Sequence, residues 1–112
     1  VNLGHSSSVI NVPGRINGAH YPYAMAAGTV KITPTAANTP TLATVTLPAG
    51  RFTSAPIVTA TAWTNGPGTT VTGVSTNTTS TTSVQIYLTR TNTTANDVRW
   101  IAVQMTSSSG AG

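Results

Sequence analysis

Between residues 29 and 106, apolar and polar residues alternate in short runs with the period of two that is typical of half-buried β-strands. The clearest run is residues 83–90, which predicts an inward face of Val84, Ile86 and Leu88 and an outward face of Gln85, Tyr87 and Thr89. Gly, Pro and Asn lie between the runs and favour turns. The pattern predicts strands at residues 29–33, 41–47, 57–63, 70–76, 83–90 and 98–105. Because no helical period of useful length is present, we predict an all-β fold, an antiparallel sandwich or barrel.

Two of the predicted strands depart from simple alternation. Gly73 lies inside the fourth strand, where a glycine often marks a β-bulge. The last strand, residues 98–105, is apolar on both of its faces. Two-sided burial requires a second covering surface, which is either another subunit or a second layer of the same domain around a central strand.

The two ends of the chain lack this periodicity. Residues 1–28 are interrupted by Gly and Pro but contain too many apolar residues for a free linker. We predict that they form an irregular N-terminal arm that packs on the domain or on a neighbouring subunit. Residues 29–106 are the predicted β domain, and the composition of residues 107–112 predicts a flexible tail. The chain begins at Val1 rather than at Met, which indicates a fragment or a processed product of a longer protein.

Charged residues are scarce, and Thr occupies 24 of the 112 positions instead. The branched β-carbon of Thr suits a pleated strand, so this composition agrees with the all-β prediction. The five basic residues are spread singly along the chain. Phosphate binding requires clustered positive charge, so we expect no nucleic-acid partner. No run approaches the ~20 apolar residues of a membrane helix, so we expect no membrane insertion.

The inventory of reactive side chains argues against catalysis. Asp97 is the only acid, whereas glycoside hydrolysis normally requires two carboxylates. His5 and His20 lie in the predicted arm, at spacings that match no metal or catalytic-triad motif. We therefore expect no enzyme activity, no cofactor and no metal site. Cysteine is absent from the sequence, which excludes disulfides, and a domain this small is then expected to be stabilised by oligomerisation.

Two segments of the chain resemble a known family. Residues 45–58 contain a Pro-x-x-Arg-Phe corner followed by a Pro-x-Val strand start, and residues 98–104 contain a Trp-Ile-Ala closing strand. Over residues 28–106, these features resemble the H-type lectin fold. They are more similar still to the lectin-like modules that end the minor tail proteins and tail fibres of tailed bacteriophages. Trp100 lies in the structural Trp-x-Ala motif of that family and is expected in the core.

The resemblance implies a six-stranded antiparallel β-sandwich that forms a homotrimer and binds a host-surface saccharide. It also implies a place at the distal tail of a virion, where the module acts outside the host cell. The acid that binds sugar near the N-terminal strand in the family has no counterpart here, since Asp97 directly precedes the last predicted strand.

Two functions are consistent with this resemblance. The first is a receptor-binding (adhesion) module of a phage tail fibre that recognises a bacterial cell-surface polysaccharide or teichoic acid through multivalent binding. The net charge of +4 suits such an anionic surface. The alternative is a structural module that trimerises or caps the fibre without a specific ligand.

The candidate ligand-binding residues lie at strand ends and are Trp63, Asn65, Arg90, Asn92 and Asp97. An aromatic ring can stack on the apolar face of a sugar while Asn, Arg and Asp bond its hydroxyls. Alternate strands of an antiparallel meander run the same way, so the third and fifth strands should bring Trp63 and Arg90 to one end. The opposing interpretation is that Trp63 packs in the core or an interface and that Arg90, Asp97 and Arg99 pair locally.

Overall fold

The computed structural model describes residues 21–77 and 79–112. Those residues form six β-strands and no helix, which confirms the all-β prediction. The strands are β1 (Ala24–Ile32), β2 (Thr41–Thr46), β3 (Ile57–Ala62), β4 (Val71–Asn77), β5 (Ser83–Arg90) and β6 (Asn96–Gln104). Over the same two ranges, the chain has no helix of the length and apolarity needed to cross a membrane.

The strands form two three-stranded antiparallel sheets. In the first, which we call sheet A, β6 lies between β1 and β3; in the second, sheet B, β5 lies between β2 and β4. Only β4 and β5 are neighbours both in sequence and in a sheet, and each other connection passes from one sheet to the other. This is the arrangement of a β-sandwich.

The inner faces of the two sheets share one hydrophobic core. On β5, the alternating residues Val84, Ile86 and Leu88 are fully buried, and on β6 so are Val98 and Ala102. The inward face predicted for residues 83–90 is therefore confirmed. Successive side chains of a strand point to opposite faces, which is why the alternation in the sequence indicates the core directly.

Trp100 is buried in this core, as predicted. Its ring occupies the space that a side chain at Gly28 would take, because a Cβ at that position would lie 2.9 Å from the ring. The register pairs Gly28 with Trp100 and Ala26 with Ala102. Small residues on β1 thus make room for the largest side chain of β6, as close packing of an interior requires.

β1 begins at Ala24, inside the segment 1–28 that the sequence assigns to an irregular arm. The same packing explains why the sequence pattern did not show this start. The inner positions Ala24, Ala26 and Gly28 are too small to give a clear apolar alternation. Backbone pairing with β6 nevertheless holds them in a strand. The remainder of the predicted arm, residues 1–20, lies outside the described residues.

The C-terminal residues 107–112, for which the composition predicts a flexible tail, make hydrogen bonds to the domain. The Met105 N–H donates to the carbonyl of Gly110 at 3.0 Å. The Thr53 hydroxyl donates to the carbonyl of Ser107 at 2.7 Å. A Ser- and Gly-rich composition predicts that no regular element forms, but it does not reveal which backbone groups find partners on a folded surface.

Gln104, the last residue of β6, is fully buried, and its side-chain amide is hydrogen-bonded on both sides. Its Oε1 accepts from the N–H groups of Thr53 and Ser54 at 2.9 and 3.3 Å. Its Nε2 donates to Thr53 Oγ1 and to the carbonyl of Thr106, both at 2.7 Å. A buried amide with all these partners ties the β2–β3 connection to the end of β6.

Candidate functional site

Three connections lie together at one end of the fold, at residues 33–40, 63–70 and 91–95. We call this end the loop end. Ala62 is paired with Val98 near the start of β6, and Val71 is paired with Arg90 at the end of β5. Trp63 and Arg90 therefore lie at the same end, as the strand-direction argument predicts. The sheet order is not that of a meander, but each connection still reverses the chain direction, so β3 and β5 end on the same side of the fold.

Trp63 directly follows β3, and 61% of its surface is exposed. Its backbone N–H donates to the carbonyl of Asp97 at 2.9 Å, which extends the β3–β6 ladder. The guanidinium of Arg99 lies over the indole ring, 4.1 Å from the ring centroid. Such a cation–π contact stabilises an exposed ring by about 0.5–1 kcal/mol. Trp63 is thus held on the outer face of sheet A rather than in the core of this chain.

Arg90 has a different environment, because it is buried and bonds to its own turn. Its Nη1 donates to the carbonyls of Thr94 and Ala95 at 3.1 and 3.3 Å, and to Asn96 Oδ1 at 3.2 Å. Its Nε is buried without a hydrogen-bond partner among the described residues. Arg90 therefore shapes the β5–β6 turn from inside instead of presenting its charge on the surface.

Asn96 connects this turn to Trp63. It is buried at the first position of β6, where its Oδ1 accepts from Arg90. Its Nδ2 donates to the carbonyls of Asp97 and Trp63 at 2.8 and 3.4 Å. One amide thus spans the ends of β3 and β5, so the position of the Trp63 backbone depends on the buried Arg90.

The other predicted residues have separate roles at the loop end. Asn92 accepts from the Thr94 N–H at 3.1 Å and so forms part of the turn. Asp97 pairs with Lys31 across the β1–β6 register, with 3.3 Å between carboxylate and ammonium. Asn65 is exposed in the β3–β4 connection. The structure therefore brings the predicted set to one end, with Trp63 and Asn65 facing solvent and Arg90 and Asn92 supporting the turn.

The predicted set omits Asn96 and Arg99, which complete this arrangement. Asn96 continues the inward alternation of Val98 and Trp100 by one step, so the period of two was a usable signal for its burial. The place of Arg99 over Trp63 depends on the β3–β6 register. Arg99 is paired with Thr61, which makes it a diagonal neighbour of Trp63 on the same face.

The outer face of sheet A also carries a cluster of apolar side chains, which we call the apolar face. The register places Met25, Val103 and Ile57 in one row across the sheet, with Ile101 in the next row. Met25, Ile57 and Ile101 are exposed although they belong to the strands of a folded sheet. Contiguous exposed apolar side chains of this kind mark interaction sites on soluble domains. The inward side of β6 is buried in the core between the two sheets. Its outer side, which carries Ile101 and Val103, faces solvent in this chain.

Within residues 21–77 and 79–112, no three His, Cys, Asp or Glu side chains come together as a set that could hold a metal ion. His5 and His20 lie outside those ranges. No protein-family model matches this chain, and no match was found among curated proteins or solved structures. Functional inference therefore starts from the residues and geometry described above.

Proposed function

We propose that this chain is a receptor-binding (adhesion) module of a phage tail fibre, related to the H-type lectins, that binds a bacterial cell-surface saccharide. The observation that carries the proposal is the exposed indole of Trp63, held at the loop end with Arg99 stacked on it. The phage origin and the place at the distal tail come from the sequence resemblance of residues 45–58 and 98–104.

The chemistry of Trp63 and its neighbours fits an anionic saccharide. Arg99 covers the ring from one side, and the exposed remainder is free to stack on the apolar face of a sugar. Asp97 is paired with Lys31, so the ammonium of Lys31 balances the negative charge of this carboxylate. The positive charge of Arg99 is then available to an anionic ligand. Arg99 on the ring and the exposed Asn65, two residues further along the chain, are then available as donors to a sugar or phosphate on Trp63. Arg90, Asn92 and Asp97 act as positioning residues for this site.

The apolar face supports the second part of the proposal, which is a homotrimer. Met25, Ile57 and Ile101, which are 39–52% exposed, lose contact with water if the apolar face of one chain packs on another, and each then contributes roughly 0.6–1.5 kcal/mol. Several weak saccharide sites on one assembly then bind a repetitive polymer with far greater avidity than one site alone.

The apolar face equally suits the alternative function, a structural module that trimerises or caps the fibre without a specific ligand. The two functions differ in what they require of Trp63. An adhesion module requires the exposed ring for binding, whereas a capping module does not use it.

Binding of the purified chain to an array of bacterial polysaccharides and teichoic acids separates the two. We expect binding to at least one anionic polymer. Trp63→Ala should lower that affinity at least tenfold, which is about 1.4 kcal/mol, because it removes the stacking surface. Trp63→Phe should retain part of the binding.

Leu42→Ala is the matched control, since Leu42 is an exposed apolar residue on the other sheet. It should leave binding unchanged. Equal binding by Trp63→Ala and the unaltered chain would show that the site lies elsewhere. A stable trimer that binds no polymer on the array would favour the capping function.

A further inference from the structure

A groove of about 370 Å³ lies on the outer face of sheet B, beside the loop end but on the opposite side of the sandwich from Trp63. Its lining residues are Pro40, Gly73, Val74, Ser75, Tyr87 and Thr89. The volume falls in the range of roughly 300–1,000 Å³ that is typical of small-molecule sites. None of the six lining residues is charged. The groove therefore suits a small neutral ligand.

Tyr87 is the aromatic residue of this groove. It lies on the central strand β5, is half-buried, and is paired with Leu42 on one side and Ser75 on the other. Thr89 follows it on the same face of β5. An aromatic ring with hydroxyl groups on two neighbouring residues offers both an apolar stacking surface and hydrogen-bond donors and acceptors.

The edge of the groove is opened by a β-bulge in β4. The register between β4 and β5 shifts between Val71 and Gly73, and Gly73 is paired with Thr89. A Cβ at Gly73 would meet nothing closer than Thr89, at an ordinary 3.8 Å. Packing therefore does not require glycine here, and its effect is to leave the space beside Thr89 and Tyr87 open. Bulges and strand glycines are often found where a ligand approaches the backbone.

We propose that this groove is a second binding site, which takes one or two rings of a neutral saccharide. The C–H groups on one face of a pyranose pack on the Tyr87 ring, while its hydroxyls bond to Ser75 and Thr89. The site differs from the loop end in its chemistry, since it offers hydroxyls without a charge. It also lies on the sheet opposite to the apolar face, so a trimer formed through sheet A leaves it accessible. The inference does not depend on the function proposed for Trp63.

Nuclear magnetic resonance titration of the ¹⁵N-labelled chain tests the proposal directly. The probes are maltose, cellobiose, lactose, N-acetylglucosamine and N-acetylgalactosamine, each added at millimolar concentration. We expect at least one of them to shift the backbone amide signals of Gly73, Ser75 and Thr89. The indole N–H signal of Trp63 reports the loop end in the same spectra. Shifts confined to Trp63 and Asn65 would overturn the groove. Shifts at the groove alone would support it and would bear only on neutral sugars, since the loop-end site is tested separately with anionic polymers.

Gly73→Val is the sharpest variant, because a Cβ at this position meets nothing closer than 3.8 Å and a β-branched residue beside Thr89 suits a strand while taking up groove space. We expect it to lower the affinity for the active probe at least tenfold while the melting temperature stays at or above that of the unaltered chain. Tyr87→Ala should lower binding similarly, and Tyr23→Ala, a change at an exposed tyrosine outside the groove, should not. Unchanged binding by Gly73→Val, or no shift at the groove with any probe, would overturn the proposal.

Discussion

The outer faces of the two sheets belong to the same small fold but have opposite chemistry. The outer face of sheet A exposes Met25, Ile57 and Ile101 in adjacent rows, together with Trp63 at the loop end. The outer face of sheet B consists mainly of hydroxyl and amide side chains around Tyr87. Both sheets have three antiparallel strands and contribute to the same core. The strand architecture therefore does not determine what each outer face contacts.

The difference shows how a domain with few charges divides its surface. Exposed apolar area costs roughly 25 cal/mol for each Å² in water, so contact with a partner would stabilise the apolar face. Threonine and serine are hydrated without charge, and threonine also suits a strand. The outer face of sheet B can thus remain in solvent without a partner, whereas the apolar face would gain from one. Three predictions test this contrast, starting with the core on which both faces depend.

Trp100→Ala has the largest expected effect, because the contrast between the faces presupposes one shared core. Trp100 fills the space above Gly28 between the two sheets. Truncation of a buried tryptophan should lower the free energy of unfolding by about 3–5 kcal/mol. Chemical denaturation followed by circular dichroism measures this loss. Trp63→Ala is the control and should cost no more than about 1 kcal/mol, the value of its exposed contact with Arg99. A loss at Trp100 as small as that of the control would contradict the shared core.

Ile101→Lys tests the apolar face directly. Ile101 is 39% exposed, and Leu42, on the outer face of sheet B, is 44% exposed, so the same substitution at both positions forms a matched pair. Association can bury only the exposed 39% of Ile101, which is worth about 0.6–1.2 kcal/mol in each subunit, and a lysine there removes this gain and adds an unpaired charge. We expect light scattering to show a trimer for the unaltered chain and for Leu42→Lys, and a monomer for Ile101→Lys. A folded monomer in all three would remove the distinction between the faces.

Lys31→Met should have the smallest effect. Lys31 on the edge strand β1 and Asp97 on β6 form an ion pair on the outer face of sheet A, near the loop end. The lysine side chain is 66% exposed. Exposed pairs contribute about 0–1 kcal/mol, and salt screens them. Thermal unfolding should therefore show a small loss at low salt that disappears at high salt. A loss that persists at high salt would mean that the pair is covered, as in an interface that extends from the apolar face to this edge.

Much of the candidate site could be predicted from the sequence. Trp63 and Arg90 were expected at one end, and the register of β3 and β4 places them there. The prediction grouped both as single residues at strand ends and did not use the alternation that distinguishes their environments. Arg90 lies on the same inward side of β5 as Leu88 and donates to carbonyls of its own turn. Trp63 lies on the same outward side of the β3 alternation as Ile57. Extending the strand period by one residue would have separated them.

The sequence by itself determined the strands, because a period of two is a property of neighbouring residues and survives without knowledge of any partner. It also determined the inward face of β5, the core position of Trp100 and the irregularity at Gly73. Only the tertiary structure decided the start of β1 at Ala24, the docking of residues 107–112 and the stacking of Arg99 on Trp63. Each of these depends on contacts between residues far apart in the chain. The register that creates such contacts is set by the packing of both sheets together and not by any one segment.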